Sequence, residues 1–185
     1  MSIVKKVERI SVDDYLNLEE QAEERHEYIN GAINAKASET ARHNIITSTI
    51  LSLLREHLKN TPCTVFMSDM KVRIGEVFYY PDVMAICEKV DPSSLFQTEP
   101  LLLVEVLSKS TESKDRLEKL VAYQSIPSVK EYVLVSQDKV SVDIYRRYDD
   151  SWQLESLSYG DTINLESVNY HDAVEKLYQD VLASL

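Results

Sequence analysis

The sequence predicts an α/β (α+β) protein in which helices flank a mixed β-sheet, and three features support that class. Segments with helical spacing of apolar residues alternate along the chain with segments rich in β-branched and aromatic residues. Neither a repeat nor a low-complexity linker interrupts them, and 185 residues suit one domain, which we place at 1–185. The run LLLVEVLS at 101–108 has the apolar character of a central strand covered on both faces.

The N-terminal part of the chain is predicted to contain a helix, a hairpin and a second helix. Residues 11–27 begin with a serine cap and aspartates in the first turn, which is typical of a helix start. The Asn30-Gly31 pair between two short apolar stretches predicts two strands joined by a tight turn. From 43 to 60, isoleucines and leucines recur at helical spacing, and Pro62 fits the end of that helix.

The rest of the chain is predicted to be mostly extended, with one helix inside it and one at its end. Strands are expected within residues 63–74, 77–87, 100–108, 131–136, 140–147 and 152–157. The last two of these segments form a hairpin-like edge. Residues 111–123 combine a Thr or Ser cap with strong helix formers and an apolar face, so they predict a helix. A final helix is expected near residues 171–182.

Composition excludes several classes of protein. Apolar residues make up 44% of the chain and charged residues 28%, which is ordinary for a soluble globular protein. No segment approaches the roughly 18 consecutive apolar residues of a membrane span, and the N-terminus lacks the apolar core of a signal peptide. We therefore expect a cytoplasmic protein with no membrane association. Cys63 and Cys87 lack CxxC spacing and paired histidines, so we expect two buried thiols rather than a disulfide or a zinc site.

The net charge of −11, from 31 acidic and 20 basic residues, weighs against a protein that simply coats nucleic acid. Lys and Arg supply most non-specific affinity for phosphates, so such a chain would need its cations concentrated on one face. An acidic balance also suits a site where carboxylates gather a divalent cation. Both interpretations stay open. The three glycines form neither a P-loop nor a dinucleotide-binding motif, and no serine-hydrolase elbow occurs.

Glu105 lies inside the most apolar predicted strand, where a carboxylate is seldom buried unless it is paired. A structural ion pair would explain an isolated glutamate there. Asp82 follows Pro81 at the start of another apolar strand, where proline is tolerated, and a turn carboxylate is its structural alternative. Two carboxylates entering a sheet on adjacent strands repel unless a cation or a shared proton lies between them. Together they favour a Mg²⁺ or Mn²⁺ site.

An ordered set of motifs gives the chain a family resemblance. The set contains PD at 81–82, EVLS at 105–108, and T-x3-D-x3-K-x3-Y at Thr111, Asp115, Lys119 and Tyr123. HEYINGAI at 26–33, His43, SDMKVRI at 68–74 and EYVLVS at 131–136 extend it over nearly the whole chain. The sequence resembles the Uma-two family of endonucleases, within the restriction-endonuclease-like, or PD-(D/E)XK, superfamily. The resemblance implies a restriction-endonuclease-like fold with a mixed central sheet flanked by helices.

The resemblance also implies metal-dependent hydrolysis of DNA phosphodiester bonds. By this match the ligands of Mg²⁺, or of Mn²⁺, would be Asp82, Glu105 and the main-chain carbonyl of Val106. Such a cation lowers the pKa of a bound water and offsets transition-state charge. The superfamily lysine two positions after the acidic residue is replaced here by Leu107. Nothing at that position supplies a cation.

Lys119 on the following helix is the natural substitute for the missing lysine, since its stem can cross apolar surface while its ammonium reaches the site. The alternative is an ordinary exposed pair with Asp115, four residues earlier. Lys109 and Lys114 are weaker candidates, because the preceding loop leaves their directions undetermined.

Two further catalytic candidates rest on the family match. Glu27 would complete the metal shell or hold a water, and its alternative is a solvated residue after a helix. His43 would touch a phosphate or carry a proton, and its alternative is a surface or capping histidine. Asp69 is expected to be a supporting or turn residue. A homodimer is expected, because two-strand cutters commonly act as two-fold pairs. The competing function is a catalytically inactive nuclease-fold domain that binds nucleic acid or protein.

Overall fold

The structure, a computed structural model, describes residues 9–185. Its longer helices are α1 (Val12–Gln21), α2 (Ala41–His57) and α3, which covers residues 112–124. Helix α3 has three parts, α-helical Glu112–Lys114, π-helical Asp115–Lys119 and α-helical Leu120–Gln124. Short 3₁₀ turns occupy Glu166–Val168, Val174–Tyr178 and Leu182–Ser184. Side-chain oxygens of Ser11 and Thr40 cap α1 and α2 by accepting hydrogen bonds from backbone N–H groups of the first turn.

Thirteen strands lie within the described residues. In chain order they are β1 (His26–Ile29), β2 (Ala32–Ala35), β3 (Thr64–Met67), β4 (Lys71–Ile74), β5 (Val77–Tyr79), β6 (Val83–Ile86), β7 (Phe96–Gln97), β8 (Leu102–Leu107), β9 (Glu131–Ser136), β10 (Ser141–Tyr148), β11 (Ser151–Ser158), β12 (Thr162–Leu165) and β13 (Tyr170–Ala173). They form a six-stranded sheet in the order β11-β10-β9-β8-β6-β3, a five-stranded sheet in the order β2-β1-β5-β4-β7, and the ribbon β12-β13. The pairs β8-β9 and β4-β7 are parallel, and the others are antiparallel.

The predicted class, mixed sheets flanked by helices, is confirmed, but the expected central sheet is divided in two. Strands were expected within segments 63–74 and 77–87, as parts of one sheet. Each instead contributes one strand to one sheet and one to the other, β3 and β4 from the first segment, β5 and β6 from the second. The chain therefore crosses between sheets at residues 68–70 and again at 80–82, and the PD motif lies at the second crossing.

The run LLLVEVLS forms the central strand β8, and its prediction as a strand covered on both faces is confirmed. All six residues of β8 are buried, between β6 on one side and β9 on the other. Val104 and Val106 face a core shared with α2, whereas Leu103 and Leu107 face a second core that contains Tyr123 of α3. The alternation of strand side chains places Glu105 on the α3 face, in line with Leu103 and Leu107.

The predicted N-terminal helix is shorter than expected. It ends at Gln21, and His26–Ile29 pairs as strand β1 with both β2 and β5. The backbone N–H of His26 donates to the buried carboxylate of Glu19, so tertiary contacts outweigh the helical propensity of the acidic run. The Asn30-Gly31 hairpin is confirmed, with both turn residues at positive φ.

The C-terminal segment was predicted to be a helix near 171–182, and that prediction is wrong. Tyr170–Ala173 pairs with β12, and two short 3₁₀ turns follow it, at Val174–Tyr178 and Leu182–Ser184. Buried Leu177 and Tyr178 pack into the α2-side core. The hydroxyl of Tyr178 donates to the carbonyl of Ser141, so the segment is fixed by β10 rather than by helical hydrogen bonds.

The prediction that the two cysteines are free, buried thiols is wrong. Cys63 and Cys87 are half-buried and are joined by a disulfide. They stand opposite one another just beyond the paired ends of β3 and β6, where Thr64 faces Ile86. Residues 24 positions apart in sequence thus become neighbours across the sheet, which spacing alone could not indicate.

Within residues 9–185, no helix is both long enough and apolar enough to cross a membrane.

Candidate active site

Asp82 lies where the chain leaves the five-stranded sheet and enters the six-stranded one. Val83 on β6 faces Val104 on β8, so extending this antiparallel register by one residue sets Asp82 opposite Glu105. Directly opposite side chains lie about 5 Å apart at their Cβ atoms. Both carboxylates are buried on the face of the sheet that α3 covers. The prediction that they enter on adjacent strands is confirmed.

Three groups surround the Asp82 carboxylate. Oδ2 accepts hydrogen bonds from the Val106 N–H at 2.8 Å and from His43 Nε2 at 3.0 Å, while the Lys36 ammonium lies 3.6 Å from Oδ1. Burial alone would raise the pKa of Asp82, but the hydrogen bond and charge of His43, with Lys36 and Val106, hold it below its usual value. Asp82 is therefore kept as a carboxylate despite its burial.

His43 reaches this carboxylate from the first turn of α2. Its ring is buried, Thr47 Oγ1 lies 3.5 Å from Nδ1, and Glu39 Oε2 lies 3.6 Å from Nε2. Burial disfavours the imidazolium, yet the hydrogen bond to Asp82 and the charges of Asp82 and Glu39 together outweigh that cost and raise the pKa of His43. The structure thus places the His43 ring against Asp82 and away from the surface.

Glu105 is held by two donors from α3. The Lys119 ammonium and the Tyr123 hydroxyl each lie 2.9 Å from Oε1. Burial raises the pKa of Glu105 to about 8, and the repulsion of Asp115 and Asp82 adds to this although Lys119 opposes it. The pKa of Glu105 is therefore raised while that of the facing Asp82 is lowered, so Glu105 is protonated more readily than Asp82.

Lys119 is buried in the π-helical part of α3 and does not form the exposed pair that was its structural alternative. Its ammonium lies 2.9 Å from Glu105, 3.0 Å from Asp115 and 3.6 Å from Glu27. Burial disfavours the charge, but these three carboxylates together raise the pKa of Lys119 well above its usual value. Single π turns inside helices are frequent at functional sites.

Glu27 is also buried and faces the same cluster, although the sequence placed it at the end of a helix. It lies on β1, opposite Asn34 of β2, and forms ion pairs with Lys114 and Lys119. Sequence reasoning rated Lys114 as a weaker candidate, because its direction after the loop was undetermined. The first residues of α3 turn it towards Glu27.

A cavity of about 160 Å³ collects these groups. Its ionisable lining residues are Glu27, Lys36, Glu39, Asp82, Glu105, Lys114 and Lys119. Sequence reasoning did not select Lys36 and Glu39. Both follow the hairpin in a loop without periodicity, so the only available signal was their closeness in sequence to His43.

Within the described residues, no group of three or more His, Cys, Asp or Glu side chains is already arranged to hold a metal ion. The chemistry of the cavity nevertheless fits a hard divalent cation, because Mg²⁺ commonly uses one or two protein carboxylates and completes its shell with water and phosphate oxygens. In addition, Glu39 Oε2 is buried and accepts no hydrogen bond.

Two residues of the motif region lie elsewhere. Leu107 packs in the α3-side core with Leu103 and Leu134, so the motif's usual lysine position holds an apolar core residue. The side chain of Asp69 is mostly exposed and contacts Arg25, outside the cavity. The interpretation of Asp69 as a turn residue fits its position between β3 and β4.

Several known proteins are similar to this chain over most of its length. The family model Uma2, described as "Putative restriction endonuclease", matches residues 12–173. The uncharacterised protein slr1290 of Synechocystis sp. is 35% identical over 175 residues, covering 92% of each chain. The uncharacterised protein sll1609 of the same organism is 36% identical over 163 residues, covering 85% of this chain and 92% of the other. A crystal structure described as a putative nuclease belonging to DUF820, from Anabaena variabilis, matches with a TM-score of 0.72 at 20% identity, over 92% of this chain and 98% of that one.

Proposed function

The chain belongs to the Uma2 family of putative restriction endonucleases, and from this premise we propose that it is a divalent-metal-dependent endonuclease that hydrolyses DNA phosphodiester bonds. The predicted resemblance to that family is thereby confirmed, and the fold is that of a restriction-endonuclease-like protein. The chemistry and the substrate are our proposal.

One observation carries the proposal, namely that three elements distant in sequence deliver their ionisable side chains to one cavity. Asp82 comes from the crossing before β6, Glu105 from β8 and Lys119 from α3. A purely structural ion pair needs one partner for each charge, whereas here the groups line an open space. Perturbed titratable groups gathered in a cleft are typical of active sites.

Asp82 and Glu105 would hold Mg²⁺ or Mn²⁺, with the main-chain carbonyl of Val106 as a further oxygen. The N–H of Val106 donates to Asp82, and the N–H and C=O of one strand residue point to the same side, so this carbonyl also lies on the β6 side of β8. When bound, the cation supplies Lewis acidity and lowers the pKa of a coordinated water.

The remaining residues act on these carboxylates and on the reacting groups. His43 and the Val106 N–H keep Asp82 ionised and fix its direction. Lys119 orients Glu105 and takes the place of the cation missing at Leu107. Glu27 holds Lys119 and Lys114 by charge and can orient a water in the cavity. His43 is the candidate proton carrier for the attacking water or the leaving alcohol.

Cleavage of plasmid DNA with Mg²⁺ or Mn²⁺ tests the proposal. Glu105→Gln should abolish cleavage while leaving the circular dichroism spectrum unchanged, because it keeps the side-chain volume and removes a carboxylate that would bind the cation. Glu56→Gln is the matched control, because it makes the same chemical change at an exposed residue near the end of α2. Cleavage by Glu105→Gln at the rate of the unaltered protein would contradict the proposal.

A catalytically inactive nuclease-fold domain that binds nucleic acid or protein is the second candidate function. The observation that favours it is the pairing of the carboxylates of Glu27, Asp82 and Glu105 with lysines. Calorimetric titration with Mn²⁺ separates the two, since absence of binding would support the inactive domain. In either case we propose a homodimer, to be measured by sedimentation velocity.

A further inference from the structure

Three carboxylates of the candidate active-site cavity lie deeper than two of its lysines, whereas Glu39 is 18% exposed and Lys119 is 6% exposed. The side chains of Asp82 and Glu105 are each 4% exposed and that of Glu27 is 8% exposed, so they form an acidic floor. The side chains of Lys36 and Lys114 are 20% and 28% exposed, so these two ammonium groups lie nearer the mouth. We call the pair the basic rim. Such an order suits a ligand that presents anionic groups from outside.

Lys36 has unused hydrogen-bonding capacity. Its ammonium lies 3.6 Å from Asp82 Oδ1 and donates a long hydrogen bond of 3.4 Å to the carbonyl of Tyr80. An ammonium has three donors, so these contacts leave it able to bind an incoming acceptor. Its neighbours Ala35 and Ala37 also line the cavity, and both are exposed and small. A bulky ligand can therefore approach the Lys36 ammonium closely.

Lys114 forms the other side of the basic rim. It pairs with Glu27 and lies 5.4 Å from the centre of the Tyr79 ring. Ser110 and Thr111, in the loop before α3, add hydroxyl groups to the lining on this side. Lysine ammonium and serine or threonine hydroxyl groups are common donors to phosphate oxygens in nucleic-acid complexes.

Lys119 differs from both rim lysines. Its side chain is 6% exposed, and its ammonium is enclosed by Glu27, Glu105 and Asp115. It donates a hydrogen bond to Glu105, and its burial among the three carboxylates shields it from a ligand at the mouth of the cavity. The lysines of the cavity therefore divide between one that orders the floor and two that face the opening.

We propose that the basic rim, Lys36 and Lys114, contacts the phosphodiester backbone of the nucleic acid that enters the cavity, with Ser110 as a further donor. The identification of the ligand as nucleic acid rests on the proposed function. The contacts themselves rest on the depth, charge and donor capacity of the rim. They would hold the backbone over the acidic floor, whose net negative charge would otherwise repel it.

The salt dependence of DNA binding tests this proposal. Fluorescence anisotropy with a labelled DNA duplex, in Ca²⁺ and separately in EDTA, gives the slope of log affinity against log salt. Each lost lysine–phosphate contact should reduce the magnitude of that slope by about one and weaken binding about tenfold at fixed salt. We expect this for Lys36→Gln and for Lys114→Gln, and recovery of the slope in Lys36→Arg and Lys114→Arg.

Lys59→Gln is the matched control, because it removes the same charge from an exposed lysine paired with Glu56 on α2. Equal slopes in Lys36→Gln, Lys114→Gln and Lys59→Gln would overturn the proposal, as would failure of the unaltered protein to bind the duplex. Circular dichroism and thermal melting show whether each variant is folded, and the arginine variants decide the matter if a glutamine variant is not.

The outcomes for the rim and for the proposed function are distinguishable. If Glu105→Gln abolishes cleavage but rim variants keep the full slope, the nuclease assignment survives and the rim contacts do not. If the rim variants lose slope while the unaltered protein never cleaves DNA, the rim contacts survive and the nuclease assignment does not.

Discussion

Two buried glutamates on neighbouring parallel strands differ in how many of their carboxylate oxygens accept hydrogen bonds from the protein. Glu131 on β9 accepts hydrogen bonds from Arg146 at 2.9 Å and from the backbone N–H groups of Glu166 and Ser167 at 3.1 and 3.0 Å. Glu105 on β8 receives both of its hydrogen bonds on the single oxygen Oε1, and it lines a cavity. At the scale of the residue, protein donors bind both oxygens of the structural carboxylate Glu131. They bind only one oxygen of the candidate ligand Glu105.

The contrast predicts that Glu131→Gln lowers the free energy of unfolding by about 3 kcal/mol, because it removes the buried carboxylate of Arg146 and leaves only the more exposed partners Glu155 and Glu166. Glu105→Gln should cost much less, since a neutral side chain relieves the repulsion by Asp115 and Asp82. Urea denaturation measures both free energies. Equal losses in the two variants would contradict the distinction between a structural and a ligand-type glutamate.

At the scale of the element, the β1–β2 hairpin positions both an acidic and a basic member of the cavity. Glu27 lies on its first strand, and Lys36 directly follows its second. The two strands keep their register through the turn at Asn30 and Gly31, with φ of 49° and 96°. A change in the turn would therefore displace residues on both sides of the cavity.

Gly31→Ala should lower the free energy of unfolding by about 2–3 kcal/mol, because its φ is strained for L-residues and its added Cβ would lie 2.8 Å from Arg9 Cβ. Gly75→Ala is the control: its φ is 59°, and no atom lies within 4 Å of its added Cβ, so we expect a loss of only about 1 kcal/mol. Thermal and urea unfolding measure both. A smaller loss at Gly31 than at Gly75 would count against this account of the turn.

The π-helical part of α3 is the second element that shapes the site. It turns both Asp115 and Lys119 inward, and the Tyr132 hydroxyl of β9 donates to the carbonyl of Asp115. Arg116, in the same segment, reaches outward to Asp143 of β10. The segment is thus fixed on two strands at once, and this fixation holds Lys119 over Glu105.

At the scale of the whole molecule, the site lies where two sheets exchange strands. β5 and β6 belong to different sheets, and the link between them carries Asp82, while β1 of one sheet and β8 of the other supply Glu27 and Glu105. The cavity depends on how the two sheets are held relative to each other. The Cys63–Cys87 disulfide lies within one of these sheets, because it joins β3 to β6 of the six-stranded sheet at the end of β6 farther from Asp82.

Replacing both cysteines by serine, or reducing the disulfide, should lower the free energy of unfolding by about 3 kcal/mol, the loss expected for a cross-link that closes a loop of this length. Denaturant unfolding with and without reductant measures the effect. The double serine variant is its own control, because reductant should not change its stability further. No difference between the oxidised and reduced protein would contradict a stabilising role of the disulfide.

Residues that act through local pattern were predictable. The cap at Ser11, the Asn30-Gly31 turn and the apolar run at 101–108 each follow from neighbouring side chains. The side-chain cap expected at the start of α3 is not formed, because Thr111 makes no cap hydrogen bond. The residues at which helices and strands begin or end were less predictable. The acidic run after Gln21 and the segment after Tyr170 leave the helical state because strand pairing with distant residues stabilises the extended one.

The sequence by itself determined the class of fold, the family, and the order in which Asp82, Glu105 and Lys119 occur along the chain. Only the tertiary structure decided which groups meet: Lys114 with Glu27, Lys36 and His43 with Asp82, and Cys63 with Cys87. The physical reason is that periodicity reports which face of its own element a residue occupies. Contacts between elements depend on how sheets cross and where loops end, and these are set by packing over the whole chain.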